Sequence, residues 1–201
     1  SVRTFWPELE NKITVIHEGV ARPCVEPVQP AGITEPGFVL MVARRDPHKN
    51  LCRAVEAWAS IDAPPLVIVG PKDDRYPDLP DTIRRSRKSD QIFEIESVDP
   101  AELEWLYGNA AVLLFSSLVE GFGLPPMEAA LRSCPIVASN CGALPELLQG
   151  EYMEVDPESI HSIVAGLKRQ LHQRSHAEGL SVPTERDHAS KVCTLMSGLT
   201  F

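Results

Sequence analysis

The chain has 201 residues, which is enough for one large domain or two small ones. Hydrophobic residues make up 43% and charged residues 23%, as in ordinary soluble globular proteins, so the composition argues against disorder and coiled coil. The 19 basic residues are outnumbered by 28 acidic ones, giving a net charge of −9, and no basic stripe stands out; this argues against nucleic acid as a partner. A single diphosphate group needs only a few local cations, so nucleotide binding remains open.

The five cysteines are odd in number and scattered, and no two of them form a C-x-x-C pair. They indicate neither a zinc site nor a disulfide framework, and we expect reduced, mostly buried thiols in a cytosolic protein. The longest apolar runs fall well short of the roughly 18 residues that a membrane-spanning helix needs. The N-terminus has no signal-peptide core and no initiator Met, from which we expect a fragment of a longer protein.

Short apolar runs alternate along the chain with longer helical stretches. The runs predict strands buried on both faces at Lys12–Ile16, Phe38–Ala43, Leu66–Val69, Ile92–Ile95, Val112–Phe115, Ile136–Ala138 and, more weakly, Tyr152–Val155. The helical stretches are Asn50–Ile61, Leu79–Ser89, Pro100–Asn109, Pro126–Arg132, Leu144–Leu148, Glu158–Gln173 and Glu185–Ser197, with a polar break at His176–Pro183. This alternation predicts an α/β fold, a Rossmann-like parallel sheet with helices on both faces.

The unusual residues fall directly after predicted strands, at the edge where an open parallel sheet binds its ligands. Arg44–Asn50 is a turn with three cations that enters a helix, and Ser116–Glu128 combines glycines with two glutamates. Gly70-Pro71 and Ser139–Gly142 follow two other strands. Glycines, cations and paired carboxylates therefore gather at one edge of the predicted sheet, which indicates a binding site there.

The segment Glu120–Glu128 is the most informative of these. Gly121 and Gly123 allow the backbone to approach a ligand closely, and the helix after them would offer free N–H groups to a phosphate. The two glutamates would repel phosphate, but they suit hydrogen bonds from sugar hydroxyls on either side of it. Arg44 and Lys49, on the neighbouring loop, supply the positive charge that phosphate needs.

The sequence Glu-Gly-Phe-Gly-Leu-Pro-Pro-Met-Glu at Glu120–Glu128 resembles the E-x7-E signature of retaining, nucleotide-sugar-dependent glycosyltransferases of the GT-B fold, group 1. Val42–Asn50 resembles the G-R-x-x-x-x-K-N loop of that family, and Leu103–Ala110 resembles the helix before its E-x7-E strand. Ser139–Glu146 resembles its S/T-N-x-G-G-L-P-E turn, and Val155–Pro157 matches the usual aspartate-proline before its C-terminal helices. The matches occur in the family's order.

The resemblance implies the C-terminal, donor-binding domain of such an enzyme at residues 12–175, after a remnant of the interdomain crossover at residues 1–11. Residues 176–201 would form a C-terminal helical tail. The implied catalytic residues are Glu120, which would contact the transferred sugar, and Arg44 and Lys49, which would hold the diphosphate. The implied donor-binding residues are Glu128 at the ribose hydroxyls, together with Gly121, Phe122, Gly123, Leu124 and Asn140.

The resemblance also implies the substrates. The donor would be a nucleotide-diphosphate sugar, with GDP-mannose favoured and a UDP-sugar as the alternative, and the transfer would retain the anomeric configuration without a metal. The acceptor would be a glycan or lipid-linked sugar of polysaccharide biosynthesis, bound through an N-terminal domain absent from this chain. We therefore expect this cytoplasmic chain to bind donor but to transfer poorly by itself; association with the inner face of the membrane stays open.

Several alternatives remain at this point. A GT-B sugar-nucleotide epimerase would use similar nucleotide contacts, and a non-catalytic interaction domain could keep the fold without the chemistry. Taken singly, Glu128 would be an acid placed in the first turn of a helix for its dipole, and Asn140 would shape a turn. His172 and His176 have the spacing of a metal pair but lack an intervening Glu, which favours a solvated helix face.

Overall fold

The computed structural model describes residues 5–21, 24–73, 75, 78–150, 152–173 and 185–197. The chain forms two compact units. The smaller combines residues 1–21 with residues 183–201 and contains a short 3₁₀ helix at Pro7–Lys12. Within it, Nδ1 of His188 lies 2.9 Å from the carbonyl oxygen of His17. The larger unit, residues 22–182, contains the sheet.

The sheet has six strands in the order β3-β2-β1-β4-β5-β6, and all neighbours are parallel. The strands are β1 (Val39–Val42), β2 (Leu66–Val69), β3 (Ile92–Ile95), β4 (Val112–Phe115), β5 (Ile136–Ser139) and β6 (Met153–Val155). The predicted Rossmann-like sheet is therefore confirmed, including its weakest predicted strand. Chain order reverses between β1 and β4, which lie side by side at the centre.

Seven α-helices accompany these strands in the described part of the chain. They are α1 (Leu51–Ala59), α2 (Asp78–Arg85), α3 (Pro100–Asn109), α4 (Leu124–Leu131), α5 (Leu144–Leu148), α6 (Ile160–Gln173) and α7 (Glu185–Ser197). Asp99 caps α3: its side chain accepts from the Glu102 N–H at 2.8 Å, and the Glu102 side chain accepts from the Asp99 N–H at 3.0 Å. None of the described helices has the length and apolar composition needed to cross a bilayer.

The main apolar core lies on one face of the sheet. There Val39 and Met41 pack with buried side chains of α1, α2 and α6, among them the fully buried Trp58. Successive strand residues point to opposite faces, so Phe38 lies on the other side, where its ring stacks on Trp105 of α3 at 6.0 Å. Helices therefore cover both faces of the sheet, as the sequence predicts.

The predicted strand at Lys12–Ile16 is wrong. Lys12 ends the 3₁₀ helix, and residues 13–19 have no regular secondary structure. An apolar run forms a strand only where a neighbouring strand pairs with it, and this run pairs with none of the six strands of the sheet. The prediction of burial on both faces also fails at β3, where Phe93 is 39% exposed because this strand forms an edge of the sheet.

Two further expectations need correction. The helix predicted at Pro126–Arg132 begins two residues earlier, at Leu124, because Gly123 takes the N-cap position. The cysteines are not mostly buried, since only Cys134 is; burial raises its pKa to about 12. All five lie in the described part of the chain, and none forms a disulfide. The predicted break at residues 176–183 lies outside the described residues.

Replacing each of two helical glycines by alanine should change the free energy of unfolding in opposite directions. A Cβ on Gly166 of α6 would lie 2.5 Å from Cγ1 of Val155, whereas a Cβ on the exposed Gly108 of α3 meets nothing within 4 Å. Gly166→Ala should therefore lower the free energy of unfolding by about 1–3 kcal/mol through overpacking. Gly108→Ala should raise it by about 0.5–1 kcal/mol through helix propensity. Urea unfolding of both variants checks the prediction, and equal effects would contradict this packing of α6 on β6.

Candidate active site at the switch point of the sheet

The loops that follow β1 and β4 face each other at the carboxyl edge of the sheet. These are the central neighbouring strands between which chain order reverses, and such a switch point opens a crevice for ligands in α/β sheets. The backbone N–H of Leu118 donates to the carbonyl of His48 at 2.8 Å and joins the two loops directly. The segments singled out in the sequence therefore meet in space.

Lys49 and Glu120 form an ion pair across this junction. The Lys49 Nζ lies 2.6 Å from Oε1 of Glu120, and the two side chains are only 19% and 8% exposed. The ammonium also lies 5.7 Å from the centre of the Phe115 ring, at the end of β4. Two of the three predicted catalytic residues are thus brought into direct contact, in surroundings that screen charge poorly.

Asn50 fixes the loop that carries Lys49. Its Nδ2 donates to the carbonyl oxygens of Ser116 at 2.9 Å and Pro157 at 2.8 Å, while its Oδ1 accepts from Arg53 at 2.8 Å. The backbone of Asn50 is left-handed, at φ 58°, a conformation that Asn tolerates better than most residues. A buried amide with all these partners holds the ends of β1, β4 and β6 in one arrangement.

The turn after β5 packs against the loop of Glu120. The Ser139 hydroxyl donates to the carbonyl of Ser117 at 2.7 Å, and the thiol of Cys141 lies 3.3 Å from the same oxygen. A Cβ on Gly142, at φ +60°, would lie 2.1 Å from the carbonyl oxygen of Glu120. Gly142 is therefore required by both conformation and close approach.

The loop before α4 presents its backbone in an unusual way. Gly121 has open space around it, while Gly123, at φ +84°, caps α4 and packs against Leu144. The first turn of α4 continues with Pro125 and Pro126, which have no N–H. The free donors expected at this helix N-terminus are therefore reduced, and most of the available N–H groups belong to Gly121, Phe122, Gly123 and Leu124.

Glu128 lies in the second turn of α4, not in the first. The helix-dipole explanation for this acid is therefore weaker than the sequence suggests, since that effect falls off within the first turn. Its Oε2 accepts a hydrogen bond of 2.8 Å from the hydroxyl of Tyr107 on α3. Burial, followed by the charge of Glu128, raises the pKa of Tyr107 well above its ordinary value. Tyr107 was not singled out in the sequence, where a tyrosine in a helix indicates only a core position.

Two predicted site residues stand apart from the Lys49–Glu120 pair. Arg44 is 68% exposed and pairs with Asp46 at 3.5 Å. Asn140 is exposed, and its side chain donates to Glu154 of β6 at 3.3 Å. The structure thus brings Lys49 and Glu120 into contact but not these two.

Arg45, beside Arg44, is the buried arginine of this loop. Its side chain is 2% exposed and its Nη1 donates to Glu94 of β3 at 2.5 Å. Its Nε and Nη2 have no hydrogen-bond partner in the described part of the chain. No three His, Cys, Asp or Glu side chains among the described residues are grouped as a metal site would need, and His176 of the predicted histidine pair lies outside those residues.

The sequence model of the family described as glycosyl transferases group 1 matches residues 27–184, which span all six strands. The chain belongs to this family.

The resemblance to group 1 glycosyltransferases is therefore confirmed. Among curated group 1 relatives, O-antigen chain mannosyltransferase B of Escherichia coli is 26% identical over 160 residues, covering 77% of this chain and 42% of that protein. O-antigen chain mannosyltransferase RfbU of Salmonella typhimurium is 28% identical over 134 residues, covering 65% and 37%. This chain spans less than half the length of these two relatives.

Among solved structures, sucrose-phosphate synthase from Thermosynechococcus elongatus superposes with a TM-score of 0.75 at 21% identity, covering 98% of this chain and 56% of that one. At this identity the likeness shows the fold, the Rossmann-like domain of GT-B glycosyltransferases.

Loss of the shielded Lys49–Glu120 pair should destabilise this group 1 domain more than loss of an exposed ion pair. Lys49→Met keeps the aliphatic stem but leaves the Glu120 carboxylate buried and unpaired, which should lower the free energy of unfolding by about 1–3 kcal/mol. The control is Lys72→Met, because Lys72 and Glu96 pair at 2.9 Å with both side chains at least half exposed. That variant should unfold like the parent in urea. Equal loss in both would show that the Glu120 pair is no better shielded than a surface pair.

Gly142 supplies a second prediction. Gly142→Ala should be more destabilising than Gly150→Ala, although both residues have positive φ, because a Cβ on Gly150 meets nothing within 4 Å. The left-handed backbone alone should cost about 1 kcal/mol in each case, and the contact with Glu120 should add at least as much again. Urea unfolding of the two variants measures the difference. Indistinguishable values would mean that the turn after β5 does not press on the Glu120 loop.

Proposed function

We propose that this chain is the donor-binding domain of a retaining glycosyltransferase, which moves mannose from a nucleotide-diphosphate sugar to a glycan or lipid-linked acceptor. The observation that carries the proposal is the contact of Lys49 with Glu120 at the switch point, at the start of the E-x7-E segment. Family membership supports sugar transfer, and the mannosyltransferase names of the two O-antigen relatives support mannose.

The difficult step in such a transfer is departure of the nucleoside diphosphate. The bond between the anomeric carbon and the phosphate oxygen breaks, and its electron pair leaves with the diphosphate. The acceptor oxygen then bonds to the anomeric carbon on the same face and gives up its proton to the departing diphosphate oxygen. A cation fixed beforehand beside the leaving phosphate stabilises the charge as it grows. We assign this role to Lys49, with Arg44 joining from its exposed position on the same loop.

In the proposed site, different parts of the donor bind to the carboxylates of the protein and to its backbone N–H groups. Glu120 would accept from hydroxyls of the transferred sugar when phosphate competes for Lys49, and Glu128 would accept from the ribose hydroxyls. The N–H groups of Gly121–Leu124 would face sugar and phosphate. Asn140, in the turn after β5, would lie at the edge of the donor site. The proposed chemistry needs no metal.

The donor base and the acceptor belong to the same proposal. We favour GDP-mannose because of the mannosyl relatives, with a UDP-sugar as the alternative. The acceptor would bind to a second domain, so this chain alone would bind donor and transfer it poorly. In the longer protein we place the reaction in the cytoplasm, with peripheral contact to the inner face of the membrane as an option. An epimerase of the same fold would convert a nucleotide sugar without any acceptor.

Calorimetric titration with GDP, UDP, ADP and inorganic pyrophosphate, each with and without EDTA, tests the proposal. One nucleotide should bind at tens of micromolar or tighter, unaffected by EDTA. Lys49→Ala should weaken binding of both that nucleotide and pyrophosphate by about 10- to 100-fold, since a charge-assisted contact is lost. Glu128→Ala should weaken the nucleotide by about tenfold and leave pyrophosphate unchanged.

The matched controls are Lys168→Ala and Glu56→Ala, exposed residues on α6 and α1. Both should bind like the parent. If Lys49→Ala and Glu128→Ala also bind like the parent, the site assignment is wrong. If no nucleotide binds this chain, alone or together with the proposed second domain, a non-catalytic interaction domain replaces the transferase as the better explanation. Binding only in the presence of the second domain would show that this domain completes the site.

A further inference from the structure

Tyr107 is fully buried on α3, and its hydroxyl donates to Oε2 of Glu128 at 2.8 Å. A buried hydroxyl needs a partner, but a backbone carbonyl would serve that need as well as a carboxylate. Here the partner is the second glutamate of the E-x7-E segment. The bond therefore links a core residue to a residue that the proposed function places at the ribose.

The ring of Tyr107 is itself held in place. The guanidinium of Arg132 lies 5.3 Å from the centre of the ring, and its Nη1 donates to the carbonyl oxygen of Glu128 at 2.7 Å. Nε of Arg132 in turn donates to Glu104 of α3 at 2.8 Å. The hydroxyl thus approaches Glu128 from a fixed direction, because ring, guanidinium and both helices are joined in one buried network.

This geometry matters because the terminal torsion of a glutamate is soft. Its carboxylate rotates over a broad range unless a partner fixes it. The Tyr107 hydroxyl fixes one oxygen of Glu128 and leaves Oε1 to accept from a ligand. Burial raises the pKa of Tyr107 well above its ordinary value, so the hydroxyl keeps its proton and remains a donor to Glu128.

We propose that Tyr107 is a positioning residue for nucleoside recognition: its hydroxyl orients the Glu128 carboxylate so that the free oxygen meets the ribose hydroxyls of the donor. This inference rests on the proposed function, since it takes Glu128 as the ribose contact. It adds a residue on a different helix, 21 positions earlier in the chain, that acts on the ligand only through Glu128.

The test is titration of Tyr107→Phe with GDP, 2′-deoxy-GDP and pyrophosphate, using UDP and its 2′-deoxy form if UDP binds the parent more tightly. Phenylalanine keeps the ring under Arg132 and removes only the hydroxyl. Binding of the ribonucleotide should weaken by about three- to tenfold, as expected for one hydrogen bond to a charged group made indirectly. Binding of pyrophosphate should not change, and discrimination between ribose and 2′-deoxyribose should fall.

A packing control and a double variant separate positioning from structure. Leu106→Val removes buried volume from the same helix but keeps the Tyr107 hydroxyl and should leave the ribose discrimination at the parent value. Tyr107→Phe added to Glu128→Ala should cause no further loss, because the hydroxyl acts through the carboxylate. An equal loss for pyrophosphate, an unchanged discrimination, or an additional loss in the double variant would each overturn the positioning role.

Failure of this inference can be told apart from failure of the proposed function. If Glu128→Ala weakens the ribonucleotide and Tyr107→Phe does not, the ribose contact stands and only the positioning role falls. If Glu128→Ala binds like the parent, the ribose contact falls and the role of Tyr107 falls with it. If neither the unsubstituted chain nor a form of it that carries the second domain binds any of the nucleotides, both are contradicted.

Discussion

The candidate site depends on the buried side-chain amide of Asn50. It bonds the carbonyls of Ser116 and Pro157, and so ties the loop after β1 to those after β4 and β6. Without that amide the Ser116 carbonyl would lose this donor, and the Pro157 carbonyl would keep the bond of 3.0 Å from Nη1 of Arg53. Each lost bond costs about 0.5–1.5 kcal/mol. The left-handed backbone at Asn50 also sets the direction in which the chain leaves the short turn carrying Lys49. The local geometry at Asn50 therefore decides where Lys49 lies.

Charge at this edge of the sheet is arranged as a pair that a ligand can reorganise. The chain as a whole is acidic, yet Lys49 is held over the Phe115 ring and against Glu120. The ammonium and carboxylate satisfy each other, so neither is left as a costly unpaired charge. A diphosphate would compete for the lysine and release the glutamate toward a sugar hydroxyl. The contact therefore stabilises this edge of the sheet, and in the proposed function the donor would open it.

Most strands of the sheet could be predicted from the sequence, because the signals for them are local. Short runs such as Leu66–Val69 and Val112–Phe115 are bounded by turns and too apolar for anything but buried strands, and the structure reproduces both ranges. Lys12–Ile16 gives a similar signal, but pairing is decided by distant strands that the run itself does not encode. The hydrogen bond of Tyr107 could not be predicted for the same reason, because its partner Glu128 lies on another helix. Periodicity predicts that such a tyrosine is buried, not what its hydroxyl meets.

The two prolines of α4 reduce the number of backbone donors at the start of this helix. Pro125 and Pro126 suit the start of a helix, where their missing N–H groups leave no intrahelical bond unmade, but they also remove donors that a phosphate could use. In the proposed site, stabilisation of a leaving diphosphate then rests less on the helix N-terminus and more on Lys49 and on the loop N–H groups before Pro125. Preorganisation of that loop accordingly matters more than the helix dipole. Gly142 pressed against Glu120 and Asn50 bonded to Ser116 supply it, because each fixes the loop from outside the segment that would touch the ligand.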